Sequence, residues 1–129
     1  MEPLPYNGIP IEPNDLDICT DQASAYRMEA SLNAHILQAV ELRTSELIRS
    51  HPGMLQMGDV PVELIGDMEI RTADGAWPGA PEIGQHCGMV KFEGVLIPVM
   101  DLRFLRDGYK RLGLIERVNQ IEQFLIGGV

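Results

Sequence analysis

Asp15 and Asp17 stand one residue apart in IEPNDLDICTD, with Leu16 and Ile18 interleaved. In a strand, residues two apart point to the same face. The two carboxylates then project together, while Leu16 and Ile18 turn to the opposite, core side. Carboxylates sharing a face repel each other and need solvent, a cation or a proton to coexist. A hard divalent ion such as Mg²⁺ or Mn²⁺ meets that need, because it takes carboxylate oxygen and keeps sites for water and phosphate. The competing reading is a polar strand edge bathed in water. A third acid, Glu63, lies in VPVELIG with apolar neighbours on both sides, where an acid is less expected than in a loop. If its strand pairs beside the first, three carboxylates converge, a layout for two metals that hold a triphosphate and activate a hydroxyl. Asp67, four residues on, shares the face of Glu63 by parity and is the substitute candidate. For Glu63 the competing reading is the solvated face of an antiparallel sheet.

The elements that must position these acids follow from local patterns. Pro3, Pro5, Gly8, Pro10 and Pro13 make residues 1–13 an extended arm in which no continuous helix can form. Asp15 to Cys19 reads as a short strand, and Thr20 or Asp21 can cap the helix that follows. Ala25, Met28, Leu32 and Ile36 give that helix one core-facing stripe. Ala39 to Leu42 could be a short strand, and Thr44 to Ser50 is ambiguous, with one helical turn considered. Two strand-like runs flank Gly58-Asp59, a hairpin turn signal. Pro61 cannot donate to a ladder and belongs near a strand start or edge. Asp74-Gly75 marks another turn, and MVKFEGVLIPVM reads as a hairpin about Glu93-Gly94 that ends in a buried strand. Asp101 can cap a helix carrying Leu102, Leu105, Tyr109 and Leu112, with Gly113 as its stop. A last helix carries Ile115, Val118, Ile121 and Leu125. The class is α+β, a mixed sheet with helices packed on it and two C-terminal helices over 101–126, forming one domain across 1–129.

The chain has 129 residues, enough for one modest core. Its formal net charge of −9 argues against sequence-independent binding to duplex nucleic acid, which needs a basic face. No stretch is long enough to span a bilayer, and MEPLPYNG lacks the regions of a signal peptide. Cys19 and Cys87 fit no metal-ligand spacing and make no disulfide framework, so a reduced, cytoplasmic setting is expected.

GIPIEPNDLDICTD resembles the central motif of the nucleotidyltransferase-fold superfamily, the DNA polymerase beta-like group. It is nearest to the minor and aminoglycoside- or lincosamide-nucleotidyltransferase type. Those proteins carry Gly-Ser on a turn into a helix, then a D-h-D strand, then a third acid on a later strand. Asp15 and Asp17 match the pair and Glu63 the third acid. The order of ELIRSHPGML, VPVELIGDMEI and GVLIPVMDLRFLRDGYKRLG is similar as well, so the resemblance covers nearly the whole chain. It implies Mg²⁺ or Mn²⁺ held by Asp15, Asp17 and Glu63, an NTP substrate, and transfer of a nucleotidyl group to a hydroxyl acceptor, with Glu63 also able to accept the acceptor's proton. The departure is at the front. No Gly-Ser occurs in the sequence, and Met1 falls about where it should lie. The expectation is a core without its first helix, a strand and the phosphate-binding turn. Weak or no nucleotide transfer is expected to follow, with a homodimer covering the bared apolar surface. A non-catalytic interaction module, antitoxin-like or self-assembling, is the alternative.

Arg49 and His51 in IRSHPG could reach a phosphate or base, against a surface role in a turn before Pro52. Lys110, with Arg111 and Arg117, could face a nucleotide, against a solvated helix face. Trp77 could stack a base or cover a core edge. His35 and His86 read as exposed.

Overall fold

The computed structural model describes residues 16–127; Asp15 and the Pro-rich arm lie outside them. The chain divides into two compact units, one ending at Ile83 and the other running on from Gly84. The first holds β1 (Leu16–Thr20), α1 (Gln22–Ser31), β2 (Ile36–Gln38), β3 (Arg43–Thr44), β4 (Ile48–Met57) and β5 (Val60–Ile70). The second holds β6 (Cys87–Phe92), β7 (Val95–Met100), α2 (Leu102–Arg111) and α3 (Ile115–Gly127). The class is α+β with mixed pairing, as the sequence predicts.

In the first unit the sheet runs β1-β5-β4-β2, and β3 also pairs with β4. β1 and β5 are parallel, with Leu16 beside Val62 and Ile18 beside Leu64. The β4–β5 pair is antiparallel and turns at Gly58, whose φ of +61° suits glycine. Val62, Leu64 and Leu55 face one side of the sheet, where Ala25 and Val40 complete the core. Ile18, Tyr26, Met28, Leu32 and Ile36 pack around it. Ile36 thus serves the core from β2, because the helix ends at Ser31 and a short 3₁₀ turn follows.

The structure departs from the sequence reading at β4. The sequence admits a helical turn within Thr44 to Ser50 and a turn before Pro52, yet β4 begins at Ile48 and passes straight across His51, Pro52 and Gly53. The Pro52 carbonyl accepts from the Glu41 N–H at 3.3 Å, so its side of the backbone faces residues 39–42. Those residues lie between β2 and β3 and carry no ladder, and the N–H that Pro52 lacks is not needed there. A Cβ on Gly53 would lie 2.6 Å from Val40 Cγ2 and 3.2 Å from the Gln38 carbonyl oxygen. The passing segment needs glycine at that point.

In the second unit β6 and β7 form a hairpin whose turn residues, Glu93 and Gly94, both have positive φ. This is the backbone that matches hairpin twist. The strand expected to be buried is not: Val95 and Leu96 are about three-fifths exposed. A two-stranded ribbon has too little sheet to enclose both faces. Asp101 caps α2, accepting from the Arg103 N–H at 2.8 Å. Gly113, at φ +74°, turns the chain into α3, where Val118 and Ile121 are buried. The Arg117 guanidinium lies over the Tyr109 ring, 5.3 Å from its centre. No described helix is long and apolar enough to cross a membrane.

Candidate functional site

β1 and β5 place Asp17 directly beside Glu63 in the parallel register. Neighbouring strands are about 4.8 Å apart, and paired residues share a face. Since Ile18 and Leu64 point into the core under α1, Asp17 and Glu63 project from the opposite face. Asp17 is exposed and Glu63 half-buried. Across β5 the next residue in register is Met54 of β4, an apolar flank for the acidic pair. Asp15 lies outside the described residues. Among the described residues no three His, Cys, Asp or Glu side chains form a metal-binding group.

The same face carries Cys19, two residues past Asp17. Its thiol is pushed up to about 11, first by burial and then by the charges of Asp17 and Glu63. Without a bound cation the thiol stays protonated at neutral pH. The hard donors that the register sets side by side on this face are the carboxylate oxygens of Asp17 and Glu63. Two such oxygen donors side by side fit a hard divalent ion that completes its shell with water and phosphate, not a thiolate-seeking one.

Arg49 and His51 are placed differently. They lie on β4 with the parity of Gly53 and Leu55, which is the α1 side. Arg49 Nε donates to Glu69 Oε2 at 2.8 Å, and its guanidinium stacks 4.9 Å from the centre of the Trp77 ring. Arg71 approaches the same ring at 5.5 Å. His51 Nδ1 is 3.1 Å from the Tyr26 hydroxyl. A cleft of about 270 Å³ lies here, lined in part by Gln22, Arg49, His51, Asp67 and Glu69. Each of these has a partner within the fold, which makes the cleft a satisfied polar junction. Lys110 lies in the last turn of α2, exposed, in the second unit. His35 is exposed, whereas His86 stacks on Phe104 with ring centres 4.0 Å apart.

Asp67 does not share the face of Glu63. It adopts φ +45°, and the β4–β5 register shifts between Arg49 and His51. This bulge interrupts the strand alternation and sends the Asp67 carboxylate to the start of α1, where Oδ1 accepts from the Gln22 N–H at 3.0 Å. It also turns Glu69 to the Arg49 side. The available signal was Gly66, an isolated glycine inside a strand pattern.

Three carboxyls in this unit titrate below the usual range. Asp21 is lowered by hydrogen bonds from the Ser24 N–H and hydroxyl, Glu69 chiefly by the Arg49 guanidinium, and Asp74 by the Thr72 hydroxyl and the Ala76 N–H. A depressed folded pKa contributes stability above the unfolded value, and that stability is lost as pH falls through the folded value. The melting temperature should therefore hold from pH 7 to about 5 and fall below about pH 4. Asp21→Ser, which keeps a cap but not the charge, should make that decline shallower; an unchanged acid profile would count against the role of Asp21.

Comparison with known proteins agrees with this architecture. A family model described as Aminoglycoside-2''-adenylyltransferase matches residues 6–122. A crystal structure from Thermotoga maritima, described as that of a candidate nucleotidyltransferase, superposes with a TM-score of 0.81 at 31% identity. The match covers 93% of this chain and 74% of that one. Among curated protein sequences, none matches.

Proposed function

The chain belongs to the aminoglycoside-2''-adenylyltransferase family, and from that premise we propose that it transfers a nucleotidyl group from an NTP to a hydroxyl acceptor at the carboxylate face of its sheet. The family and the fold carry nucleotidyl transfer in general. The finer reading is supported by one observation above all, the register that sets Asp17 beside Glu63 on the face away from α1. In this reading Asp17 and Glu63, with Asp15, hold Mg²⁺ or Mn²⁺. When bound, such an ion offsets phosphate charge and makes the acceptor hydroxyl more acidic.

The residues do the rest by position. Asp17 and Glu63 stand on paired strands, so their spacing is held by a hydrogen-bonded ladder before substrate arrives. The acceptor oxygen attacks the α-phosphorus, the bond to pyrophosphate breaks, and a Glu63 carboxylate oxygen takes the hydroxyl proton. The family description names an adenylyl group and an aminoglycoside, so ATP is the donor we propose. A net charge of −9 suits an acceptor carrying amino cations. The test is incubation with labelled ATP, Mg²⁺ and a panel of hydroxyl acceptors that includes aminoglycosides. Labelled acceptor with equimolar pyrophosphate is expected, and pyrophosphate formed without labelled acceptor would contradict transfer.

A second reading, a self-assembling module, is favoured by one feature. Leu37 of β2, Leu42 just before β3 and Leu47 just before β4 are 69%, 57% and 46% exposed, and β2 ends the sheet among the described residues. An open edge beside apolar side chains recruits strands. A homodimer is proposed there, and a monomer mass in sedimentation equilibrium at micromolar concentration would remove it.

A further inference from the structure

β1 is five residues long and, among the described residues, lies at the end of the sheet and pairs only with β5. A slip of one residue would turn Leu16 and Ile18 out of the core, and burial forbids it. A slip of two residues keeps every side chain on its own face. Asp17 would then stand beside Pro61 or Ile65 instead of Glu63. Face alternation alone therefore does not hold the carboxylate pair together, and something at the end of β1 must.

The last ladder pair is Thr20 beside Gly66. Immediately beyond it the two chains meet again. Asp21 caps α1 through the Ser24 N–H at 2.7 Å, and Asp67 Oδ1 takes the Gln22 N–H at 3.0 Å. Two of the helix's unsatisfied N–H groups are thereby closed by carboxylates, one local and one from β5. Gly66 allows the approach, since a Cβ there would lie 2.9 Å from Ala25 Cβ. Asp67 reaches the helix only because its backbone is left-handed, a conformation that Asp and Asn tolerate.

We infer that Asp67 is a positioning residue for the carboxylate pair: it pins the corner between β1 and α1 to β5 and so fixes Asp17 beside Glu63. The inference rests on the proposed function for its consequence, not for its geometry.

Three variants test it. Asp67→Asn keeps the left-handed backbone and an acceptor oxygen. Asp67→Gly keeps the backbone and removes the acceptor. Gln22→Pro removes the donor at the first helical position, where proline is well accepted, and leaves Asp67 intact. Mn²⁺ affinity should fall roughly 10–100-fold in Asp67→Gly and Gln22→Pro, as for lost supports of metal ligands, and stay near wild type in Asp67→Asn. Amide exchange should quicken across Leu16–Thr20 in the two weakened variants, with β4 and β5 still protected. Should Asp67→Gly fail to fold, Gln22→Pro decides alone. Wild-type affinity and β1 exchange in Gln22→Pro would overturn the inference, as would an Asp67→Asn as weak as Asp67→Gly. Absence of Mn²⁺ binding by the wild type would instead sink the metal reading, and β1 exchange would still judge the corner.

Discussion

Asp17→Asn lowers nucleotidyl transfer by roughly 10²–10³-fold, the scale on which a preorganised charge at a reacting centre acts, and leaves the fold intact. The expectation of an intact fold comes from exposure: Asp17 is solvent-exposed on β1, which among the described residues ends the sheet. It also comes from electrostatics. Asp17 and Glu63 are like charges in register, and removing one relieves repulsion. The melting temperature should therefore not fall while activity does. Glu63→Gln should behave alike in rate, because it removes both a metal oxygen and a proton acceptor. A variant that keeps transfer at wild-type rate would show that the reaction does not use this pair. Loss of activity with loss of the fold would show that the pair is structural.

Leu64→Ala produces the largest loss of stability. Leu64 is completely buried on β5, the strand flanked by β1 and β4. Its register neighbours are Ile18 and Gly53, and it shares the core with Ala25, Leu55 and Val40. Gly53 has no side chain to move into the space, and Val40 is held by the backbone crossing over Gly53. The cavity cannot collapse easily, so the cost should be about 2–5 kcal/mol. Against a total of about 5–15 kcal/mol for a domain, that is a large share. Urea denaturation should show a lower midpoint at unchanged slope. Leu64→Met, which conserves volume, should cost less than about 1.5 kcal/mol. A midpoint for Leu64→Ala indistinguishable from wild type would mean that the core lies elsewhere.

The parts legible in the sequence were those set by near neighbours. The alternation of Leu16, Asp17 and Ile18 announces a strand with one acidic face, and Asp21 announces the helix that follows. Gly58-Asp59 and Glu93-Gly94 announce their turns, since positive φ has a residue signature. The strand through His51, Pro52 and Gly53 was hidden because its justification is tertiary. Pro52 is harmless only where residues 39–42 leave a gap in the ladder, and Gly53 is needed only because Val40 passes above it. Asp67 was misplaced for a related reason. Parity counted from Glu63 holds as far as Ile65, and one left-handed residue then breaks the count. The same bulge carries Glu69 to Arg49, so an arginine that local reading offered to a phosphate is held by a carboxylate on the α1 side of the sheet.

The central claim is that the Asp17–Glu63 face is a hard-metal site. Titration of isotope-labelled protein with Mn²⁺, followed by amide line broadening, tests it most directly. The expected result is broadening that begins at Asp17, Cys19 and Glu63 and spreads along β1 and β5, with Arg49 and His51 on the α1 side of the sheet affected later, and Mg²⁺ competing it away. Broadening that begins at another cluster, or that spreads evenly over the acidic surface, would contradict it.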